Sequence, residues 1–240
     1  MSVKRVDLPN VGQISLYKRR GARSIKLSIT HEGDVRVTLP SWSPYSSAIA
    51  FVQRHQEWVK SKIKQNYNIK TGARVGKAHQ IRIIKSNEVS IKSKVIGNEI
   101  RIYVPIRLTT ESQEVQNAIK KASLKALKKQ ANQLLPSRLD LLSKETGLKY
   151  NSLKIRQLKS RWGSCSSHFE ITLNFYLMLL PWHLIDYVLL HELTHTKVLA
   201  HNSSFWSELK VHCPKAQLLR KEIQQYKPAI TGVDDSAVIS

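Results

Sequence analysis

The sequence has few cysteines and no long apolar run. Its 240 residues include two cysteines, Cys165 and Cys213, which form no Cys-x-x-Cys pair. Such sparse cysteine usage is typical of proteins in a reducing compartment. No uninterrupted apolar stretch approaches the roughly 18 residues of a membrane span, and the polar start of the chain lacks the apolar centre of a signal peptide. These absences predict a cytoplasmic protein with no membrane partner.

Acidic residues are also scarce. Lys and Arg number 39 against 17 Asp and Glu, so the formal net charge is +22. A surface of this sign attracts polyanions through phosphate contacts and counterion release. Nucleic acid, an acidic substrate or an anionic membrane surface would fit, but so would a basic protein with no such partner, because charge carries no specificity. The hydrophobic fraction of 41% predicts a globular protein with a real core.

Residues 1–110 are predicted to form a β-rich region with one helix. Polar and apolar residues alternate at 24–29 and 35–39, which predicts two strands joined by a turn at Gly33 and Asp34. A helix is expected to begin near Ser46. Further strands are expected at 81–84, 89–91 and 99–104, with a tight turn at Gly97 and Asn98.

Residues 111–227 are predicted to form a mainly helical second region, followed by a polar tail at 228–240. A long helix should begin near Ser112, be kinked or interrupted at Pro136, and end at Gly147. One face of this helix is basic and would contact either phosphates or, more commonly, solvent. Its lysines are Lys121, Lys125, Lys128 and Lys129. Strands at 152–158 and 168–174 around a loop at 161–166, then helices from 181, at 203–212 and at 214–226, complete the prediction.

The segment His191-Glu192-Leu193-Thr194-His195 has the form H-E-x-x-H. Residues four apart share one face of a helix, so His191 and His195 can bind one zinc ion through imidazole nitrogens. Glu192 would take a proton from a water molecule on that ion, and the resulting hydroxide would attack a carbonyl carbon. The preceding turns are strongly apolar, which favours a core helix over two unrelated histidines on a helix.

A catalytic zinc site needs a third protein ligand and an open fourth position. His201, six residues after His195, is the predicted third ligand, provided that the helix ends by about Val198. The spacing matches H-E-x-x-H-x-x-G-x-x-H metzincins, but Val198 replaces their glycine and no methionine lies downstream, so another class of zincin is predicted. Glu208 and His212 are alternative third ligands. The remaining histidines show no ligand spacing: His31, His55, His79, His168 and His183.

Several further motifs combine in one order along the chain. They are Arg161-Trp162-Gly163-Ser164-Cys165-Ser166, Leu173-Asn174, Asp186-Tyr187-Val188, the H-E-L-T-H segment, and His201-Asn202-Ser203 with Phe205-Trp206. In these motifs the chain resembles the YgjP-like metal-dependent hydrolases, relatives of the SprT-like zinc peptidases, over about residues 14–226. It departs from their pattern at Ala200, where Asn often precedes the third histidine.

The resemblance implies a zincin-type domain with zinc held by His191, His195 and His201 and with Glu192 as the general base. It also implies that the strand at 168–174 lies beside the active-site helix and binds extended peptide as an added strand. Packing is the expected role of Trp162 and Phe205. No catalytic step follows for Trp162, Cys165 or Asn174, although Cys165 is conceivable as a nucleophile or ligand.

The sequence therefore predicts an α+β zincin, whose catalytic helix packs on a small sheet after an N-terminal β-rich region. The predicted reaction is hydrolysis of peptide bonds with Zn²⁺, and amide hydrolysis of a non-peptide substrate would use the same groups. The alternatives are a basic nucleic-acid-binding protein with a structural zinc site, or a DNA-associated protease that contacts DNA through Lys121 and Lys125. Glu192 favours an enzyme, because a structural site has no use for a carboxylate there. Arg161 is a candidate for stabilising the oxyanion.

Overall fold

The computed structural model describes residues 3–9, 11–29, 35–66, 69–226 and 228, with the backbone alone at 62–66. By internal contacts the chain divides into two compact units, one that ends at Ile69 and one that begins at Lys70. The predicted limits of 1–110 and 111–227 differ from this division, because residues 70–110 fall in the second unit. As limits of independently folding domains they stay a prediction.

The first unit is a four-stranded sheet with two helices. The strands are β1 (Val3–Leu8), β2 (Gly12–Arg19), β3 (Lys26–Ile29) and β4 (Val35–Pro40), in the order β1-β2-β4-β3. Strands β2 and β4 are parallel and the other neighbours are antiparallel. Alternate residues of β2 and β4 point into one core with the helices, as period-two burial requires. Its fully buried members include Ile14, Leu16, Val37, Leu39, Val52 and Val59.

Two sequence expectations for this unit need correction. Strands β3 and β4 confirm the predicted pair, but neither β1 nor β2 was predicted. The single predicted helix is two, α1 (Tyr45–Arg54) and α2 (Gln56–Asn66). At the break, the His55 Nδ1–H donates to the Phe51 carbonyl oxygen at 2.9 Å and so caps α1. The predicted turn at Gly33 and Asp34 lies outside the described residues.

The second unit opens with another four-stranded sheet. Its strands are β5 (Arg74–Val75), β6 (His79–Ser86), β7 (Lys92–Ile96) and β8 (Glu99–Pro105), in the order β5-β6-β8-β7. The turn at Gly97 is confirmed by its positive φ of 56°. The strand predicted at 89–91 is wrong, because the pairing with β8 begins only at Lys92, opposite Tyr103.

A 34-residue helix, α3 (Gln113–Thr146), crosses the unit and packs on β7, β8 and the elements of the active site. It ends at Gly147, whose φ of 73° favours glycine. Of the kink or interruption predicted at Pro136, the interruption is wrong, since the helix continues through this residue. Proline removes one backbone hydrogen bond, and burial of Leu135, Leu139 and Leu142 against neighbouring elements offsets that loss.

The last part of the unit is a small sheet with helices. Strands β9 (Ser152–Arg156), β10 (Gly163–Cys165) and β11 (Glu170–Asn174) lie in the order β10-β11-β9. A 3₁₀ helix (Phe175–Leu179), α4 (Trp182–Thr194), α5 (Ser203–His212) and α6 (Ala216–Ile223) follow. Helix α4 packs on β10. The predicted fold class, an α+β protein whose H-E-x-x-H helix lies on a small sheet, is confirmed.

Local details of this sheet differ from expectation. The loop predicted at 161–166 contains β10, which is stabilised by pairing with β11 rather than by its own sequence pattern. The strand predicted at 168–174 begins only at Glu170, because Phe169 has a φ of 59° and an exposed side chain. Among the described residues, no helix is long and apolar enough to cross a membrane.

Candidate active site

The H-E-x-x-H segment occupies the last turn of α4. The helix follows Pro181 and buries apolar side chains in every turn, including Ile185, Leu189 and Leu193. It ends at Thr194, and the backbone then turns, with the Val198 N–H donating to the Thr194 carbonyl at 3.0 Å. The helix therefore ends before Val198, as the sequence required for a third ligand at position 201.

His201 returns to the first two histidines because a new helix begins directly after it. The Asn202 side chain caps α5 by accepting a hydrogen bond from the Phe205 N–H at 3.1 Å. The His201 Nε2 lies 2.9 Å from the His191 Nε2 and 3.1 Å from the His195 Nε2. The structure thus brings together all three histidines that the sequence predicted as ligands.

The protonation of these rings suits a metal. The His195 Nδ1 lies 3.1 Å from the Val198 carbonyl oxygen. Because a carbonyl only accepts, the proton is assigned to Nδ1, and Nε2 presents its lone pair to the other rings. Burial, and then the neighbouring rings of His195 and His201, lower the pKa of His191 to about 3. Burial also lowers the pKa of His195. Both rings are therefore neutral at pH 7.

The donor set fits a divalent cation. Hydrogen bonds among the rings cannot satisfy all three converging Nε2 atoms. Each such bond needs a proton on one of the two Nε2 atoms that it joins, and the His195 Nε2 carries none because the proton of that ring is on Nδ1. A cation satisfies all three lone pairs, and neutral imidazole is a preferred ligand of zinc and its neighbours. Within the described part of the chain, no carboxylate or thiol joins the three ligand atoms, which all lie within 4.8 Å of one another.

The alternative third ligands have other partners. Glu208 accepts a hydrogen bond from the Lys197 ammonium at 2.8 Å and from the His212 ring at 3.4 Å. Neither residue belongs to the group of converging ligand atoms. His183 likewise pairs with Glu222 at 2.7 Å. This arrangement leaves His201 as the third donor.

Glu192 lies under the strand β10 and is 5% exposed. The backbone of Gly163 approaches it so closely that a Cβ there would lie 2.7 Å from the Glu192 Oε1. Sequence reasoning did not identify this role, although the signal was present as the glycine of the W-G-S-C motif. Burial raises the pKa of Glu192 to about 8, against the opposing effect of the Arg161 charge. Its Oε2 is buried with no hydrogen-bond partner among the described residues.

Phe205 forms the apolar base of the cluster. It is fully buried, and its ring centroid lies 4.5 to 4.9 Å from those of the three histidines. This agrees with the packing role expected for it. The adjacent Trp206 ring lies 6.1 Å from His201, and the Arg220 guanidinium is 4.6 Å above the centre of that indole. An apolar base of this kind fixes ring positions without competing for the nitrogens.

Asn174 anchors the loop that precedes β10. It is fully buried, and its Nδ2 donates to the carbonyls of Leu158 and Arg161 at 2.9 Å each. Its Oδ1 accepts from the Tyr176 N–H at 3.2 Å. The two Nδ2 hydrogen bonds fix the loop that carries Arg161, and the Oδ1 caps the 3₁₀ helix. The positive charge of Arg161 lowers the pKa of Glu192 against the effect of burial.

Asp186 joins the active-site helix to α3. Its two carboxylate oxygens accept hydrogen bonds from the Arg138 guanidinium at 2.7 and 2.6 Å. This bidentate geometry is the most directional ion pair available to proteins. It holds α4 against α3, one turn before His191.

Cys165 does not have the properties of a nucleophile or a ligand. Burial, and then the charge of Glu192, raise the pKa of its thiol to about 11. Its Sγ–H donates to the Ser166 carbonyl at 3.5 Å. Since the thiolate is the reactive form, the thiol is inert at neutral pH.

A helix with two histidines and a glutamate, completed by a third histidine beyond its end, defines the class of metal-dependent peptidases. The family of the YgjP-like, metallopeptidase domain matches residues 23–226, and the chain belongs to this family. No curated protein matches.

Two solved structures are similar over part of the chain. The metallopeptidase zymogen abylysin of Pyrococcus abyssi is 26% identical, with a TM-score of 0.35, over 38% of this chain and 93% of its own. The metallopeptidase zymogen jannalysin of Methanocaldococcus jannaschii is 24% identical, with a TM-score of 0.31, over 38% of this chain and 94% of its own. TM-scores this low support no structural argument.

Proposed function

We propose that the chain is a zinc-dependent peptidase in which His191, His195 and His201 hold Zn²⁺ and Glu192 is the general base. One observation carries this proposal. Three Nε2 atoms converge with no fourth ligand among the described residues, and the residue that follows His191 in the helix, Glu192, is a buried carboxylate with an unpartnered oxygen. Catalytic zinc sites have three protein ligands and an open position, whereas structural sites are closed.

The residues of the chain divide the work of amide hydrolysis. Zinc held by the three imidazoles would supply Lewis acidity and would make a water molecule at the open position more acidic. The Glu192 carboxylate would accept a proton from the attacking water and later deliver it to the leaving amine. Its burial under β10 fixes the position of the carboxylate for both transfers. The Val198 carbonyl holds the His195 ring in the tautomer that leaves Nε2 free.

The substrate is proposed to bind as an extended strand along β10. The strand expected for this role, β11, is paired on both sides and has no free edge. In the described structure β10 pairs with β11 alone and packs on α4, so it is the edge beside the catalytic helix. A peptide added to β10 satisfies otherwise unpaired backbone groups. Arg161, in the loop before β10, stays a proposal as the group that stabilises the oxyanion.

The competing function is a basic nucleic-acid-binding protein with a structural zinc site. Its strongest support is the formal charge of +22. Burying Glu192 beside a merely structural ion would have a desolvation cost and no benefit, which favours the peptidase. Contact with nucleic acid and a cytoplasmic location both stay predictions.

The decisive experiment combines metal analysis with a proteolysis screen of four proteins. Wild type should contain zinc and cleave peptides. Glu192→Gln should keep its zinc and lose activity by roughly 10²- to 10⁴-fold, because only proton transfer is removed. His195→Ala should lose zinc and activity together. Glu208→Gln, the matched control, should keep both.

Three other outcomes of that experiment would each support a different alternative. Equal activity of wild type and Glu192→Gln would refute the general base. Zinc loss in Glu208→Gln would restore Glu208 as the third ligand. Bound zinc without cleavage of any peptide, combined with salt-dependent DNA binding, would favour the structural zinc site.

A further inference from the structure

A groove of about 750 Å³ runs between β7 and α3, in the same unit as the histidine cluster but lined by none of its residues. The strand contributes four consecutive residues, 93–96, and the helix contributes Ala122, Lys125, Ala126 and Lys129, among others. Successive side chains of a strand point to opposite faces. Four consecutive lining residues therefore mean that the groove follows the backbone edge of β7 rather than one of its faces.

This backbone edge is available for pairing. Strand β7 is the last strand of its sheet and, among the described residues, pairs with β8 alone. Its other side presents backbone N–H and C=O groups, which an extended chain satisfies by adding as another strand. The groove is thus matched to an extended peptide in its backbone chemistry.

The rim of the groove selects negative charge. Lys94, Lys125, Lys128 and Lys129 all line it, and no acidic residue is among its described lining residues. All four lysines are exposed, so their ammonium groups can reach a ligand in the groove. Carboxylates on an added strand would lie within this positive field.

The lining also distinguishes a peptide from a nucleic acid. Ala122, Ala126 and Val95 give it an apolar part that is suited to small aliphatic side chains. Among the described lining residues there is neither an aromatic ring nor an arginine on which a base could stack. Single-stranded nucleic acid sites normally supply such stacking surfaces.

We propose that the groove between β7 and α3 is a docking site for an extended, acidic peptide segment that adds to β7 as a strand. Lys125 and Lys129 lie on the helix whose Arg138 pairs with Asp186 of α4, roughly 15 Å further along the axis. A protein substrate held in the groove is therefore kept close to the catalytic helix. The role of the groove in holding a substrate rests on the proposed peptidase function, whereas the binding of an acidic peptide does not.

The test measures binding without turnover, by fluorescence anisotropy on the full chain carrying Glu192→Gln. The probe is a fluorescein-labelled peptide of alternating glutamate and valine. Adding Lys125→Glu and Lys129→Glu should weaken its binding by about tenfold or more, because two attractions become repulsions. The matched control adds Lys144→Glu and Lys149→Glu, which make the same charge change on exposed lysines outside the groove. This control should change binding by less than about twofold.

Strand addition is tested separately from charge. Two versions of the probe carry N-methyl groups on alternate residues, one on the odd and one on the even positions. Only one set of N–H groups faces β7 in an added strand. One version should therefore bind at least about tenfold more weakly than the other, although both have the same charge.

Three results would overturn the proposal. The first is equal loss of binding in the groove variant and its matched control, which would reduce the effect to net charge. The second is equal affinity for both methylated probes. The third is binding of an oligothymidylate or of inorganic triphosphate at the same lysines in preference to the peptide. None of these results depends on whether the chain cleaves peptides, so failure here and failure of the proposed function are distinguishable.

Discussion

The two walls of the histidine cluster are built on different principles. The helical wall, made by α4, α5 and the turn between them, carries the groups to which we assign the chemistry, namely the three imidazoles and Glu192. The strand wall, made by β10 and the loop before it, contributes mainly backbone, apart from the role proposed for Arg161. It approaches Glu192 through Gly163, and it is anchored by Asn174. Changes in the helical wall should therefore remove a reacting group, whereas changes in the strand wall should displace one.

Among substitutions that test this difference between the two walls, Gly163→Ala is expected to have the largest effect on activity. The added Cβ would lie 2.7 Å from the Glu192 Oε1, so the carboxylate must move away. A displacement of about 1 Å in a catalytic group costs up to about 10²-fold in rate. We expect kcat/KM to fall by roughly 10- to 100-fold while zinc content stays unchanged. Ser164→Ala on the same strand is the control, and loss of zinc in Gly163→Ala would contradict the separation of the two walls.

The next effect concerns the stability of the metal-free protein. Burial raises the pKa of Glu192 from 4.5 to about 8, so the folded state holds a proton that the unfolded state releases between these values. The resulting stabilisation is present below pH 4.5 and is lost as pH rises through 8. The variant Glu192→Gln should not lose this stability at high pH, because glutamine does not ionise. In urea unfolding with a chelator, the variant should match wild type near pH 5 and exceed it near pH 9 by on the order of a few kcal/mol.

Two further features check this pH dependence. The pKa of His191 is lowered to about 3, so stability should fall in both proteins as pH drops below 6.5. The hydrogen bond from Lys197 lowers the pKa of Glu208, so Glu208→Gln should gain no stability at high pH. Parallel curves for wild type and Glu192→Gln would mean that Glu192 is not a desolvated carboxyl group.

A smaller effect is expected for Asn174→Ala in the strand wall. The variant leaves the carbonyls of Leu158 and Arg161 without their donor, and an unmade buried hydrogen bond costs about 1–3 kcal/mol. The free energy of unfolding should fall by that amount, and kcat/KM should fall several-fold as the loop relaxes. Asn151→Ala removes a similar bond to the His168 carbonyl, but at an exposed site. It should cost less, and an equal cost would show that burial is unimportant here.

The smallest effect is expected for Cys165→Ser. The raised pKa of about 11 keeps this thiol protonated, and no reacting group depends on it. Activity and zinc content should stay within about twofold of wild type, as for most substitutions away from special features. A large loss of activity or of zinc would show that Cys165 takes part in the reaction or in metal binding.

The helical wall was far easier to predict than the strand wall. Spacing four apart places His191 and His195 on one face of any helix, so local geometry was sufficient. Strand β10 has three residues and no pattern of its own, and its existence depends on pairing with β11, which is formed by residues further along the chain. For the same reason the strand at 89–91 was misplaced, because register is set by the partner strand.

The choice of the third histidine likewise depends on contacts between segments that are distant in sequence. Spacing alone left His201, Glu208 and His212 open. The packing of α5 favours His201, since it pairs Glu208 with Lys197 and His212 and brings the His201 ring to the other two histidines. Side-chain pairing between elements has no signal in spacing, and therefore it could not be predicted.

The sequence alone determined the basic charge, the α+β class and the helix that presents two histidines and a glutamate on one turn, because these depend on composition and on contacts within a few residues. Only the tertiary structure decided which strand is free beside that helix, why Gly163 must lack a side chain, and where the lysines of α3 form a groove. Those features arise where segments distant along the chain meet, and the distances between such segments are fixed by packing rather than by spacing.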